Sequence, residues 1–148
     1  MSAEDTYVDP SALTRLYLHQ PDSATMVRWR ARTPGPLPVT HHGRLEVVNA
    51  ISLACFRGEI SRAEADKAWT YLEQDFVSAQ LVHADLLWRA ALQRAGDLSR
   101  AHSPGLGCRS LDVLHVACAL ELKLRNLLTF DDRQRKLASA VGLKTLSL

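Results

Sequence analysis

Hydrophobic positions along this chain recur with two different periods, which predict short strands that alternate with amphipathic helices. Residues 6–8 form a run of strand formers that ends at Asp9 and Pro10, and apolar side chains then return at helical spacing. The same pattern predicts strands at 37–40, 76–83, 126–130 and 144–148, and helices at 44–56, 61–75, 85–102, 110–123 and 131–141. Such alternation is typical of a three-layer α/β/α fold around a central, mainly parallel sheet, here of about four or five strands.

Turn-forming residues mark several boundaries between these elements. Ser61 and Glu64 have the spacing of a capping box, which predicts a helix start. The His-His-Gly sequence at 41–43 predicts a solvated turn, and the Ser-Pro-Gly-rich residues 103–107 predict a loop. With 148 residues, of which 47% are hydrophobic, the chain is long enough for one domain with a substantial core, spanning residues 1–148.

Composition limits the partners and compartments that fit this chain. Its 18 Lys and Arg against 16 Asp and Glu give a formal net charge of +2, which permits nucleic-acid binding but gives no basic run that would hold a membrane surface. Three cysteines without close spacing predict reduced thiols. The N-terminus lacks the pattern of a signal peptide, and no apolar run reaches membrane-spanning length, so we expect a cytoplasmic protein with no membrane segment.

Four acidic residues lie where a strand is predicted to end or a helix to begin, namely Asp9, Glu46, Asp112 and Asp131. In open α/β folds the ligand site lies beyond the carboxyl ends of the strands, so these acids are expected to meet at one edge of the sheet. Carboxylates that lie close together repel unless a cation intervenes. Because the ligands are hard oxygens, Mg²⁺ or Mn²⁺ suits the cluster better than zinc.

Three of these acids also have a purely structural explanation. Asp9 precedes a proline and suits a helix N-cap. Glu46 lies in the first predicted turn of its helix, where the helix dipole favours a negative charge. Asp131, with Gln134 three residues later, fits a capping box. Considered one by one, these residues leave the structural and the chemical explanations open.

Asp112 is harder to explain by structure alone. Its helix is apolar nearly all round, which predicts an interior element. A carboxylate there has to be paired, neutralised or turned toward a polar site, because burying an unpaired charge costs on the order of several kcal/mol. Arg109 is the available salt-bridge partner in the sequence, and His115, one turn further along, is expected mainly as a hydrogen-bonded structural residue.

Four segments, at 7–13, 40–50, 109–117 and 127–134, resemble in order and spacing those of the PIN-domain ribonucleases, in particular the VapC toxins of toxin–antitoxin pairs. The resemblance implies that Asp9, Glu46, Asp112 and Asp131 are the catalytic and metal-binding residues. It implies supporting roles for Ser11, Thr129 and His115, and for Asp132, which adjoins Asp131 and is able to share its role.

The same resemblance implies a substrate and partners. RNA would be cut to 5′-phosphate and 3′-hydroxyl ends, with Arg109 and Arg133 contacting its backbone. A cognate antitoxin would inhibit the enzyme, and the toxin would be a homodimer or part of a dimer of toxin–antitoxin heterodimers. Apolar residues in excess of what a sheet face needs predict a groove for an amphipathic antitoxin segment, lined by Leu13, Leu16, Tyr17 and Val48.

Two other classes of function remain compatible with the sequence. A Mg²⁺-dependent phosphatase would use a similar acidic edge, although an Asp-x-Asp nucleophile motif is missing at Asp9. A catalytically silent PIN-like module would use the fold only to bind a protein, although it would have no need to retain all four acids.

Overall fold

Five short strands and seven α-helices alternate along residues 2–148, which are the residues that the computed structural model describes. The strands are β1 (Thr6–Val8), β2 (Leu37–Val39), β3 (Leu81–His83), β4 (Asn126–Leu128) and β5 (Lys144–Thr145). The helices are α1 (Pro10–Thr14), α2 (Ser23–Arg32), α3 (His41–Phe56), α4 (Arg62–Val77), α5 (Trp88–Leu106), α6 (Ser110–Glu121) and α7 (Asp132–Ala140), and a 3₁₀ turn, Ala3–Asp5, precedes β1.

The strands pair in parallel in two groups. Strand β4 lies between β1 and β5 in a three-stranded sheet, with Tyr7 opposite Leu127. Strands β2 and β3 form a separate two-stranded sheet, and β2 lies beside β1. The predicted α/β class with parallel strands is therefore confirmed, whereas the expected single sheet of four or five strands is divided into three and two hydrogen-bonded strands.

Successive strand residues point to opposite faces, so the chain buries two cores. Val8 and Leu128 pack with α1 to α4 on one face. Tyr7 and Leu127 pack with α5, α6 and α7 on the other. The two cores account for the three layers, and they direct Tyr7 toward α6, which carries two of the predicted site residues.

Three predicted boundaries are wrong. Residues 41–43 are the first turn of α3 rather than a solvated turn, because the Thr40 side chain caps the helix by accepting a hydrogen bond from the Gly43 N–H at 2.8 Å. The predicted strand at 76–83 is reduced to β3, since α4 continues to Val77. The predicted loop at 103–107 is mostly the last turn of α5, which ends at Gly107.

Several other boundaries differ by a few residues. Helix α2 was not predicted as an element of its own, and strands β4 and β5 end two or three residues before the predicted positions. The capping box of Ser61 and Glu64 is confirmed, with both reciprocal hydrogen bonds present. The three cysteines are unpaired, and none of the helices described has the length and apolar character needed to cross a membrane.

Candidate active site

Asp9 and Asp131 lie side by side in the fold because they follow the neighbouring parallel strands β1 and β4. The ladder between these strands continues to Asp9, whose N–H donates to the carbonyl of Leu128 at 3.0 Å. Each acid is also a helix cap: Asp9 Oδ2 accepts from the Ser11 N–H at 3.1 Å, and Asp131 Oδ1 from the Gln134 N–H at 2.7 Å. The capping functions considered from the sequence are therefore real.

Gln134 connects these acids to α6. Its side chain is completely buried, and Nε2 donates to Asp9 Oδ1 at 3.1 Å and to the Asp112 carbonyl at 3.2 Å. From the sequence, Gln134 was considered only as part of a capping box. Its backbone N–H does donate to Asp131, the N-cap of α7, but its side chain crosses to Asp9, 125 residues away in the chain, and no local pattern indicates that contact.

Asp112 lies in the first turn of α6 and faces Asp9 and Asp131. Partial burial raises the pKa of its carboxyl group; the hydrogen bond and charge of Arg109 act in the opposite direction, and the charges of Asp131 and Asp9 raise it again. Arg109 Nε donates to Asp112 Oδ2 at 3.1 Å, but that arginine side chain is 79% exposed. The salt bridge therefore compensates the acidic charge only in part.

Glu46 is held by two histidines. Its Oε2 lies 2.7 Å from Nε2 of the buried His115, and its Oε1 lies 3.3 Å from His42 Nε2. Burial raises the pKa of Glu46, but the hydrogen bond and charge of His115, followed by the charge of His42, outweigh it and lower the pKa overall. On its other nitrogen, Nδ1, His115 meets the Tyr7 hydroxyl at 2.5 Å.

The four acids line one cleft with a volume of about 630 Å³. Leu53 and Leu111 form an apolar part of its rim, and Arg109 stands at the edge. The aspartate oxygens do not crowd together: among residues 2–148, the set of three acidic or histidine ligands whose atoms all lie within 4.8 Å of one another consists of His42, Glu46 and His115. The predicted convergence of the acids thus gives a shared cleft, not a closed cage of carboxylates.

The supporting residues occupy different positions around this cleft. Ser11 Oγ donates to Asp9 Oδ2, and the buried Thr129 accepts from the Asp131 N–H at 3.1 Å. Asp132, in contrast, is exposed and forms an ion pair with Arg135. The structure therefore separates the two adjacent acids, with Asp131 in the main cleft and Asp132 outside it.

Arg109 and Arg133 flank the acids on the solvent side. Together with Asp112, Asp131 and Asp132 they line a second, shallow cleft of about 340 Å³. Arg133 is anchored by donating to the Gly107 carbonyl at 3.3 Å. Both cations therefore lie beside the acids at the exposed edge of the site.

The predicted groove residues do not form one surface. Leu13 is 1% exposed and belongs to the core, and Val48 packs against the same core, so the groove expected between α1 and α3 is filled. Leu16 and Tyr17 instead line a cleft of about 450 Å³ beside α2, where the Tyr17 hydroxyl donates to Asp75 at 2.5 Å. The groove prediction is wrong for Leu13 and Val48, because α1 packs directly against α3 and leaves no open groove between the two helices.

A family model of the PIN domain matches residues 6–140. The chain therefore belongs to the PIN-domain family. It is 31% identical, over 143 residues and 95% of both chains, to the ribonuclease VapC46 of Mycobacterium tuberculosis (strain ATCC 25618 / H37Rv). The resemblance to VapC-type members that four short segments indicated is confirmed.

Proposed function

We propose that this chain is a Mg²⁺- or Mn²⁺-dependent endoribonuclease and the toxin of a toxin–antitoxin pair. The observation that carries the proposal is the convergence of Asp9, Glu46, Asp112 and Asp131 on one cleft from four separate parts of the chain. The family match and the relative named as a ribonuclease support RNA as the substrate.

The donor set fits a hard divalent cation. Three aspartates face one another with Arg109 as a largely exposed counter-charge, and the pKa of Asp112 is raised in part by the other two. Because the oxygens do not close into a tight cage, one or two of them would bind Mg²⁺ directly while the others act through water, as is common for this ion. We assign Asp9, Asp112 and Asp131 to the metal, with Glu46 at the margin of the site.

The cation, when bound, would stabilise charge on the phosphate and lower the pKa of the attacking water. The protein's own part is to position these groups. Gln134 and Ser11 hold Asp9 in one orientation, and Arg109 and Arg133 offer charge-assisted hydrogen bonds to phosphate oxygens. In-line attack by water on this arrangement gives 5′-phosphate and 3′-hydroxyl ends.

The cleft also suits an inhibitor protein. Apolar side chains at Leu53 and Leu111 adjoin the acids, so a segment with an apolar stretch followed by an arginine would match both parts. We assign this role to the cognate antitoxin. A homodimer, or a dimer of toxin–antitoxin heterodimers, and a cytoplasmic location complete the proposal by analogy with VapC-type proteins.

The test is cleavage of total RNA by the purified protein with Mg²⁺, with Mn²⁺ or with chelator. We expect cleavage that requires the ion, and we expect Asp112→Asn to lower the rate by at least about 100-fold, since removing one key electrostatic group commonly costs that much. Asp132→Asn is the matched control, because that acid is exposed and lies outside the main cleft.

Three results would contradict the proposal. Cleavage that persists in chelator would exclude the metal. Hydrolysis of phosphomonoesters in place of RNA would favour the phosphatase, and binding of a partner without any hydrolysis would favour the silent module. Sequencing of the cleaved ends checks the predicted 5′-phosphate.

A further inference from the structure

His42, Glu46 and His115 form a cluster whose chemistry differs from that of the aspartates. One ligand atom of each lies within 4.8 Å of the others. His42 and Glu46 are four residues apart on α3 and share one face of the helix, while His115 reaches them from α6. Two imidazoles and a carboxylate are a donor set typical of transition metals.

A separate observation indicates that the cluster lacks a partner. His42 Nε2 is buried and makes no hydrogen bond that satisfies normal geometry, although it is 3.3 Å from Glu46 Oε1. The distance allows electrostatic attraction, but the poor angle leaves the nitrogen unsatisfied. A buried, unsatisfied nitrogen beside a carboxylate is a favourable position for a cation.

The residues behind His115 would support metal binding. If His115 binds a metal through Nε2, its Nδ1 carries the hydrogen and donates a hydrogen bond to the Tyr7 hydroxyl oxygen, 2.5 Å away. Burial holds the pKa of Tyr7 well above its usual value, so the hydroxyl stays neutral and able to accept this bond. Hydrogen bonds of this kind to the second nitrogen fix the tautomer and orientation of a metal-binding histidine.

We propose that His42, Glu46 and His115 form a binding site for a transition-metal dication such as Zn²⁺, distinct from the Mg²⁺ site of the aspartates. Ligand atoms around an ion with bonds of about 2.0–2.2 Å lie roughly 3–4 Å apart, so small side-chain rotations would complete the site. Imidazole nitrogens favour Zn²⁺ over Mg²⁺, which prefers oxygen ligands.

The proposed Zn²⁺ site shares Glu46 with the acid cleft, which is the cleft lined by the four acids Asp9, Glu46, Asp112 and Asp131. Zn²⁺ binding is therefore expected to affect that cleft. A Zn²⁺ ion on Glu46 withdraws that carboxylate from the margin of the cleft and adds positive charge there. Zn²⁺ is therefore expected to inhibit the Mg²⁺-dependent cleavage, an effect that rests on the proposed function. Metal binding itself does not rest on it.

The experiment is calorimetric titration of the chelator-treated full chain with Zn²⁺. We expect one ion per chain and a loss of affinity in His42→Ala greater than the 10–100-fold that outer-shell changes cause. Tyr7→Phe removes only the outer hydrogen bond and should weaken binding by about 10–100-fold. His42 is chosen over His115 because it is partly exposed, and a thermal melt of each variant checks that it folds.

Two matched controls locate the ion. His41→Ala alters the neighbouring histidine, which is exposed and pairs with Asp85, and should leave Zn²⁺ affinity unchanged. Asp112→Asn alters the acid cleft and should also retain Zn²⁺. Co²⁺ provides a second readout, because the Trp88 ring is 6.0 Å from the His42 ring and its fluorescence should be quenched, an effect that Trp88→Phe removes.

Several results would overturn the proposal: no Zn²⁺ binding, equal affinity in His42→Ala and wild type, or loss of Zn²⁺ in Asp112→Asn, which would place the ion among the aspartates. Failure of the proposed function is separate from these results. If Zn²⁺ binds as expected but RNA is never cleaved with Mg²⁺, the metal site stands and the nuclease does not.

Discussion

A carboxylate has two oxygens, and Asp9 uses one of them for each of two purposes. Its Oδ2 caps α1 through Ser11, while Oδ1 is held by Gln134 in the wall of the cleft. Asp131 similarly caps α7 and lines the same cleft. The structural and chemical explanations of these acids are thus compatible, and a helix cap is a rigid place from which to present a ligand.

Asp112 provides a prediction at this scale that is independent of cleavage. Its folded pKa lies above its unfolded value, so the folded state loses stability as pH rises through that pKa and the carboxylate ionises. Asn does not ionise. In chelator at pH 7, Asp112→Asn should therefore melt no lower than wild type and up to about 3 °C higher, the scale of small stability changes in a chain of this length.

The measurement is a pair of thermal melts at neutral and acidic pH. The difference between variant and wild type should vanish as pH falls below the ordinary aspartate pKa of about 3.9, where both side chains are neutral. A variant that melts well below wild type at pH 7 would show instead that the salt bridge to Arg109 stabilises the fold.

Individual residues also show which features of the site the sequence predicts and which it does not. The acids were predictable because strand ends and helix starts have local signatures. His42 lies in a His-His-Gly sequence that predicts a turn, because glycine is a turn former, whereas the Thr40 cap makes these residues the first turn of α3. Gln134 was beyond prediction, because its contact with Asp9 depends on how β1 and α7 meet in three dimensions.

At the scale of elements, α5 shows how packing overrides local composition. Ser103, Pro104 and Gly105 predict a loop, yet they form the last turn of a helix that packs along α6. The helix ends at Gly107, whose φ of 68° is left-handed and whose N–H donates to the Ser103 carbonyl at 2.7 Å. A glycine at the position after the last helical residue is the usual signal of a helix end, and Gly107 lies five residues beyond the predicted end at residue 102.

Two glycines at this end should respond in opposite ways to the same change. Gly107→Ala forces a side chain into the left-handed region and should lower the free energy of unfolding by about 1–2 kcal/mol. Gly105→Ala lies inside the helix, with no atom within 4 Å of the new Cβ, and should raise it by about 0.5–1 kcal/mol. Urea denaturation of both variants is the check, and equal effects would contradict the assigned end of α5.

Hydrophobic periodicity predicted the layered fold better than the limits of its elements. Strands of three residues leave little pattern to read, so the segments at 76–83 and 126–130 were assigned too long. Helix α2 is not predicted either, and its side chains Met26 and Trp29 belong to the same core as Leu13 of α1. The sequence pattern of α1 predicts surplus apolar surface for a partner, because its contacts with α3 and with this core are not local in the chain.

On the scale of the whole molecule, two clefts are alternative binding places for the antitoxin: the acid cleft and the cleft beside α2 that Leu16 and Tyr17 line. The acid cleft combines apolar rim residues with carboxylates that Arg109 compensates only in part, whereas the cleft lined by Leu16 contains one arginine, Arg30, and one aspartate, Asp75, and so has no excess of negative charge. Charge complementarity to an inserted arginine therefore favours the acid cleft. An inhibitor bound there would also compete with Mg²⁺.

Leu53 tests this assignment. It is 40% exposed on α3, two turns after Glu46, and Leu53→Glu adds a like charge to the acids and removes apolar contact. We expect this change to weaken inhibition by the small protein encoded beside the gene by at least about 10-fold, which corresponds to roughly 1.4 kcal/mol. Leu45→Glu is the matched control, since Leu45 is 63% exposed on the same helix and lines none of the three clefts described above. Titration of RNA cleavage with that protein, at low and high Mg²⁺, provides the measurement. Equal inhibition of both variants would contradict binding in the acid cleft. Inhibition that is lost only in Leu16→Glu would assign the antitoxin to the cleft beside α2.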